Sequence, residues 1–109
     1  MKQSEIKLVV DLDNEQVPEK IRWHADDAAS PYLQETKSIS LAIWDDENKN
    51  TLRIDLWTKD MPVDEMKRFY IDSIGGIAQS LLNSTGDEHM NAEINDLCDR
   101  IVNYMKTQG

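Results

Sequence analysis

An α+β fold is predicted for this chain: an antiparallel β-sheet of about four strands, with two C-terminal helices packed on one face. Three observations carry the prediction. Apolar and polar residues alternate before residue 60, the apolar period lengthens to that of a helix after it, and the connections are too short for parallel crossovers. A length of 109 residues with 39% apolar side chains suits one domain, residues 1–109.

The strands follow from period-two patterning. Ile6, Leu8, Val10 and Leu12 share one face of a first strand, and Ile21 and Trp23 begin a second. Ile39, Leu41 and Ile43 mark a third, and Leu52, Ile54 and Leu56 a fourth. The polar run DDENKN between the last two is a turn. A register that sets Trp44 opposite Thr51 pairs Ile43 with Leu52, Leu41 with Ile54 and Ile39 with Leu56. All three pairs are apolar, and a slip of two residues would lose one of them.

After Asp60 the spacing is helical. Pro62 suits a first helical position, Met61 before it is pushed out of the helical region and becomes the N-cap, and Asp64 falls where the helix dipole favours an anion. Met66, Phe69, Tyr70, Ile74, Ile77 and Leu81 form the inward stripe of a helix over residues 62–84. Gly75 and Gly76 interrupt it, which implies a kink or the close approach of a neighbouring backbone. In NSTGDEH, Gly86 fits a left-handed helix end, and Thr85 with Glu88 has the spacing of a capping box. Met90, Ile94, Leu97, Cys98, Ile101, Val102 and Met105 then form the stripe of a second helix over residues 87–106.

Charge and composition narrow the function. A net charge of −9, from 21 acids against 12 bases, disfavours nucleic acid and anionic membrane surfaces as partners. Neither a signal-peptide core nor a run of about 20 apolar residues is present, so a cytoplasmic protein without membrane insertion is expected. The single cysteine, Cys98, sits in the apolar stripe and suits a small buried side chain in a reducing compartment.

The segment TLRIDLWTKDMPVDEMKRF, residues 51–69, is dense enough in acids to resemble an active site. Asp64 and Glu65 are already explained as helix-start residues, worth a few tenths to about 1 kcal/mol each. His24 with Asp26 and Asp27 resembles a metal-ligand cluster, but His24 and Trp23 project from opposite faces of their strand and no spacing completes a site. Asp55 and Asp60 could act as acid and base, yet Asp55 alternates outward beside Arg53 and Ser40, where an ion pair suffices. No nucleophile with an adjacent base, phosphate loop or Cys-x-x-Cys pair accompanies them. Neither a metal nor a cofactor is therefore expected.

The polar face of the hairpin has residues that the core does not need. In the proposed register Trp44 and Trp57 point away from Ile43 and Leu56, near opposite ends of a surface that also holds Arg53 and Asp55. One explanation is that the loop AASPYLQE folds over the rings. The other is a protein-contact platform, since Trp and Arg are enriched among interface anchors.

The run ETKSISLAIWDDENKNTLRIDLWTKDMPVDEMKRF, with the earlier PEKIRWHADD, resembles the gliding-motility protein GldC family of gliding Bacteroidota over residues 5–70. The resemblance implies an accessory role in surface motility among other gliding-machinery proteins, and it brings no active-site pattern to these positions. The sequence thus reads as a non-enzymatic accessory or adaptor protein acting through protein contacts, with a second copy of the chain among the candidate partners. The alternatives are a small hydrolase or metal-dependent enzyme using His24, Asp26, Asp27, Asp55 and Asp60, and a binder of a small apolar ligand between sheet and helices.

Overall fold

The computed structural model describes residues 2–108, which divide into two compact units, one ending at Met61 and the other starting at Pro62. The first is all β. Its strands are β1 (Ile6–Leu12), β2 (Pro18–Ala25), β3 (Gln34–Thr36), β4 (Ser38–Asp45) and β5 (Asn50–Trp57), every pair antiparallel. They form a three-stranded sheet in the order β1-β2-β3 and a two-stranded sheet of β4 and β5. The second unit holds helices α1 (Val63–Thr85) and α2 (Glu88–Gln108). The α+β class is therefore as the sequence predicts, with five strands in two sheets rather than about four in one.

The first hairpin is built around the carboxylate of Asp13. Its Oδ1 accepts the backbone N–H groups of Glu15 at 2.8 Å and Val17 at 3.0 Å, so a side chain satisfies turn donors that the ladder leaves over. Gln16 completes the turn at φ 65°. The register then shifts between Asp11 and Leu12, leaving Leu12 opposite Pro18, because a proline has no N–H to give to the ladder and is tolerated at a strand start. Val10 faces Ile21 and Leu8 faces Trp23 along the ladder. Ile21 has 0% exposure and anchors the core.

The third strand lies where the sequence suggested a covering loop. Gln34, Glu35 and Thr36 pair with Trp23, Arg22 and Ile21, so the end of AASPYLQE extends the first sheet. Trp44 and Trp57 remain 58% and 52% exposed.

β4 and β5 pair in the register read from the apolar pattern: Trp44 with Thr51, Ile43 with Leu52, Leu41 with Ile54 and Ile39 with Leu56. Asp45 closes the turn by accepting from the backbone N–H groups of Glu47 and Asn48 and from the Asn48 side-chain amide. Lys49 adopts φ 55° there. Burial is less even than the pairing. Ile39, Leu41 and Leu56 are half-buried, but Ile43, Leu52 and Ile54 are 50–52% exposed, so the apolar pairs are withdrawn from solvent only at the base of the hairpin.

In the helical unit the start of α1 lies one residue later than the sequence suggests. Pro62, at φ −63° and ψ 144°, is itself the N-cap, and its carbonyl accepts the Met66 N–H at 2.9 Å. The ring constraint that suits a first helical position suits the cap equally, since neither needs an N–H. Asp64 and Glu65 occupy the first turn as expected. α1 runs unbroken through Gly75 and Gly76, where an added Cβ would meet no atom within 4 Å, so no close backbone approach explains these glycines.

Gly86 takes the left-handed position at φ 72° and its N–H reaches the Leu82 carbonyl. The cap of α2 is Asp87 rather than Thr85: Asp87 Oδ1 accepts the Met90 N–H at 2.9 Å, while the Thr85 hydroxyl donates back to Leu81. A two-residue link between helices that pack on each other makes an αα-hairpin, and one hollow lined by both Val63 and Tyr104 shows that it is antiparallel. On α1 the expected Met66, Phe69, Ile74 and Leu81 are half-buried, whereas on α2 the withdrawn residues are narrower than the expected stripe. On α2 they are Asn91, Ile94, Cys98, Ile101 and Met105, spaced alternately three and four apart, and on α1 Ala78 has 0% exposure. Tyr70, Ile77, Met90, Leu97 and Val102 are between 37% and 55% exposed, having been expected to face inward.

Candidate protein-contact site

Alternation along the β4–β5 hairpin puts Ser38, Ser40, Ala42 and Trp44 of one strand on the same face as Thr51, Arg53, Asp55 and Trp57 of the other. The ladder sets Trp57 opposite Ser38 and Trp44 opposite Thr51, so each ring lies beside a small side chain, at opposite ends of the face. Between them lies a polar network. Arg53 donates to Asp55 through Nε at 3.1 Å and Nη2 at 2.9 Å, Nη2 also reaches Ser40 Oγ at 2.6 Å, and Ser40 donates to Asp55 Oδ1 at 2.6 Å.

A guanidinium that grips both oxygens of a carboxylate is held in one orientation. The Asp55 carboxyl is accordingly held below the usual carboxylate range, first by Arg53 and then by Ser40. With its charge so engaged, Asp55 serves to position Arg53. A proton-transfer role would call for a carboxyl tuned the other way, toward neutrality.

The remaining sequence candidates lie elsewhere, and of these only His24 and Asp26 share a hollow. Asp60 accepts from Lys37 and from the Thr58 hydroxyl, each at 2.6 Å, which lowers its pKa and ties the end of β5 to the start of β4. Asp26 accepts the Glu5 N–H at 2.8 Å and lines a polar hollow with His24, Glu5, Lys7, Pro31 and Leu33. Among the described residues no three His, Cys, Asp or Glu side chains are grouped to hold a metal ion. Cys98 is half-buried in α2.

One part of the candidate region has no alternating pattern to announce it. Trp57 forms a wall of a surface hollow with Leu56 and Asp55 of β5 and Gln16, Val17 and Pro18 of the first hairpin. Lys59, two residues past Trp57, pairs with Asp13 inside that turn and so fastens the two segments together. Asp13 is pulled down to about 2, first by Lys59 and then by the Val17 N–H. The polar run DNEQVP could have signalled a turn here, but its spatial neighbour cannot be read from spacing.

The model of the family described as gliding motility-associated protein GldC-like matches residues 18–107. The chain belongs to this family. The match to the GldC-like family starts at β2 and runs through nearly all of α2, extending the likeness beyond the segments that first suggested it. Membership associates the chain with gliding motility, in a family of accessory proteins. No curated protein and no solved structure matches the chain. Among the described residues of this GldC-like chain, no helix is long and apolar enough to cross a membrane.

Proposed function

We propose that this GldC-like chain is a cytoplasmic, non-enzymatic adaptor of the gliding machinery that holds other machinery proteins against the Trp44–Trp57 face. A single observation carries the reading: two half-exposed tryptophans share one hairpin face with an arginine whose orientation is already set. Large aromatics bury much area for little conformational entropy, and a guanidinium fixed beforehand loses less freedom on binding than a free one. Asp13, Asp87 and Asp60 have structural occupations, in a turn, a cap and an ion pair, which supports contact over catalysis. Residues 1–109 act in this reading as one functional domain, consistent with a family match that runs across both compact units.

The test is affinity capture from gliding cells with the wild-type chain and with Trp44→Ala, Trp57→Ala and Arg53→Ala, the captured proteins being identified by mass spectrometry. Known machinery components should be captured by the wild type and lost from each variant while folding is kept. Equal capture by all four chains would defeat the proposal.

A further inference from the structure

The hollow beside Trp57 narrows the partner's chemistry, on the understanding that the hairpin face is a contact site. Its volume is about 220 Å³, below the roughly 300–1,000 Å³ of pockets that enclose whole small-molecule ligands but ample for one protruding side chain. Val17, Pro18, Leu56 and Trp57 supply an apolar lining. The two polar lining residues do not offer a free charge, because Asp55 is engaged by Arg53 and Ser40, and Gln16 is neutral. Such a site rewards an apolar side chain and gives an ion no partner.

The rim has the opposite character. Glu15 and Glu19 immediately flank the lining residues Gln16 and Pro18, and both are exposed. Lys59 pairs with Asp13 and also feels the charge of Glu19, so one ammonium serves two carboxylates. Neither Glu15 nor Glu19 has an ion pair within 4.0 Å among the described residues. A second copy of the chain would bring its own net charge of −9 toward this rim, which disfavours it as the occupant.

We infer that the hollow receives an apolar anchor residue of a basic protein segment, with Lys or Arg beside the anchor facing Glu15 and Glu19. The anchor supplies most of the binding free energy in the apolar lining, and the flanking bases supply orientation and the rate of encounter.

The test uses the full chain, labelled with nitrogen-15, and three nine-residue peptides: leucine flanked by lysines, glycine flanked by lysines, and leucine flanked by glutamates. Amide NMR shifts report weak binding and its location. The lysine-flanked leucine peptide should move the signals of residues 15–19 and 55–57, including the Trp57 indole, and binding should weaken at least tenfold with either control. It should weaken comparably for Trp57→Ala, and the double substitution Glu15→Gln and Glu19→Gln should remove most of its salt dependence. Thermal melts of both variants establish that they are folded.

Equal binding of the glycine and leucine peptides would overturn the inference, as would no shifts at these residues up to about 1 mM peptide. Shifts that grow with protein concentration alone would show self-association and overturn it in favour of a second copy. If cellular capture still depends on Trp44 and Trp57 in any of these cases, the face remains a contact site and only the anchor chemistry is wrong. If capture is indifferent to both rings, the contact reading itself fails.

Discussion

Arg53 and Asp55 lie two residues apart on one strand and project from the same face, and the guanidinium grips both carboxylate oxygens at 3.1 and 2.9 Å. The pair is partly open to solvent, with side-chain exposures of 46% and 31%, so its main consequence is geometric and its stability contribution is secondary. Asp55→Asn should leave the melting temperature almost unchanged but weaken partner binding several-fold, because the second grip on Arg53 is lost. Arg53→Lys should behave alike, since an ammonium cannot bridge two oxygens in a plane. Binding measured alongside thermal melts checks both, and a large fall in melting temperature for Asp55→Asn would show the network to be structural.

The core is asymmetric. Ile21 has 0% exposure, so Ile21→Ala should cost about 2 to 5 kcal/mol by combining lost transfer free energy with a cavity. Ile54, at 50% exposure, has only part of its side chain to lose from burial, and Ile54→Ala should cost about 1 kcal/mol. Urea midpoints for the two variants measure the difference, and similar midpoints would contradict this placement of the core.

That contrast shows what periodicity conveys. The β4–β5 register was legible because a two-residue slip would separate one of three apolar pairs, and alternation specifies which residues share a face. Alternation does not specify how much covers that face, so Ile54 and Ile77 matched the apolar pattern yet remain about half exposed. β3 escaped detection because Gln34, Glu35 and Thr36 have no apolar alternation, their pairing being supplied by β2 from outside the segment. The Trp44–Trp57 face was legible from the register alone. The hollow that adjoins it depends on Asp13 and Lys59 meeting across 46 residues of chain, a relationship that neither residue type nor spacing encodes.

The glycines of the helical unit should respond to alanine with opposite signs. Gly86 holds φ 72°, a region where a Cβ costs roughly 1–2 kcal/mol, so Gly86→Ala should destabilise by about that amount. Gly75 and Gly76 lie within α1 and an added Cβ would touch nothing within 4 Å. Each should gain up to about 1 kcal/mol on substitution by alanine, through helix propensity and a less flexible unfolded chain. Denaturation of the three variants decides it, and destabilisation by Gly75→Ala would restore a packing role for that position.

Acid should loosen the first hairpin turn. The Asp13 pKa is held at about 2 in the folded chain against an ordinary value of 3.8, so the folded state favours the ionised form. The stability this contributes is fully present above the unfolded pKa and is lost as pH falls toward about 2, the protonated carboxyl no longer attracting Lys59 or accepting the turn N–H groups as strongly. Asp13→Asn should therefore be less stable at neutral pH and show a shallower decline between about pH 4 and 2. Asp45, Asp55 and Asp60 shift in the same direction and leave a residual slope, so the comparison of the two slopes carries the result. Parallel profiles for the two proteins would remove Asp13 from this role.

The two tryptophans should be dispensable to folding in proportion to their exposure. Trp57 is 52% and Trp44 58% exposed, and each lies beside a small residue across the ladder, so truncation leaves an open surface where a buried ring would leave a sealed cavity. Trp57→Ala and Trp44→Ala should each cost about 1 to 2 kcal/mol, against the roughly 3–5 kcal/mol of a buried aromatic. Of the two, Trp57→Ala should have the larger effect on the first hairpin, because its ring also walls the hollow against Val17 and Pro18. Chemical denaturation gives the cost, and amide shifts at residues 16–18 report the local disturbance. A loss of 3 kcal/mol or more, on the scale of core aromatics, would mean that the rings belong to the fold and that partner contacts must be sought on another surface.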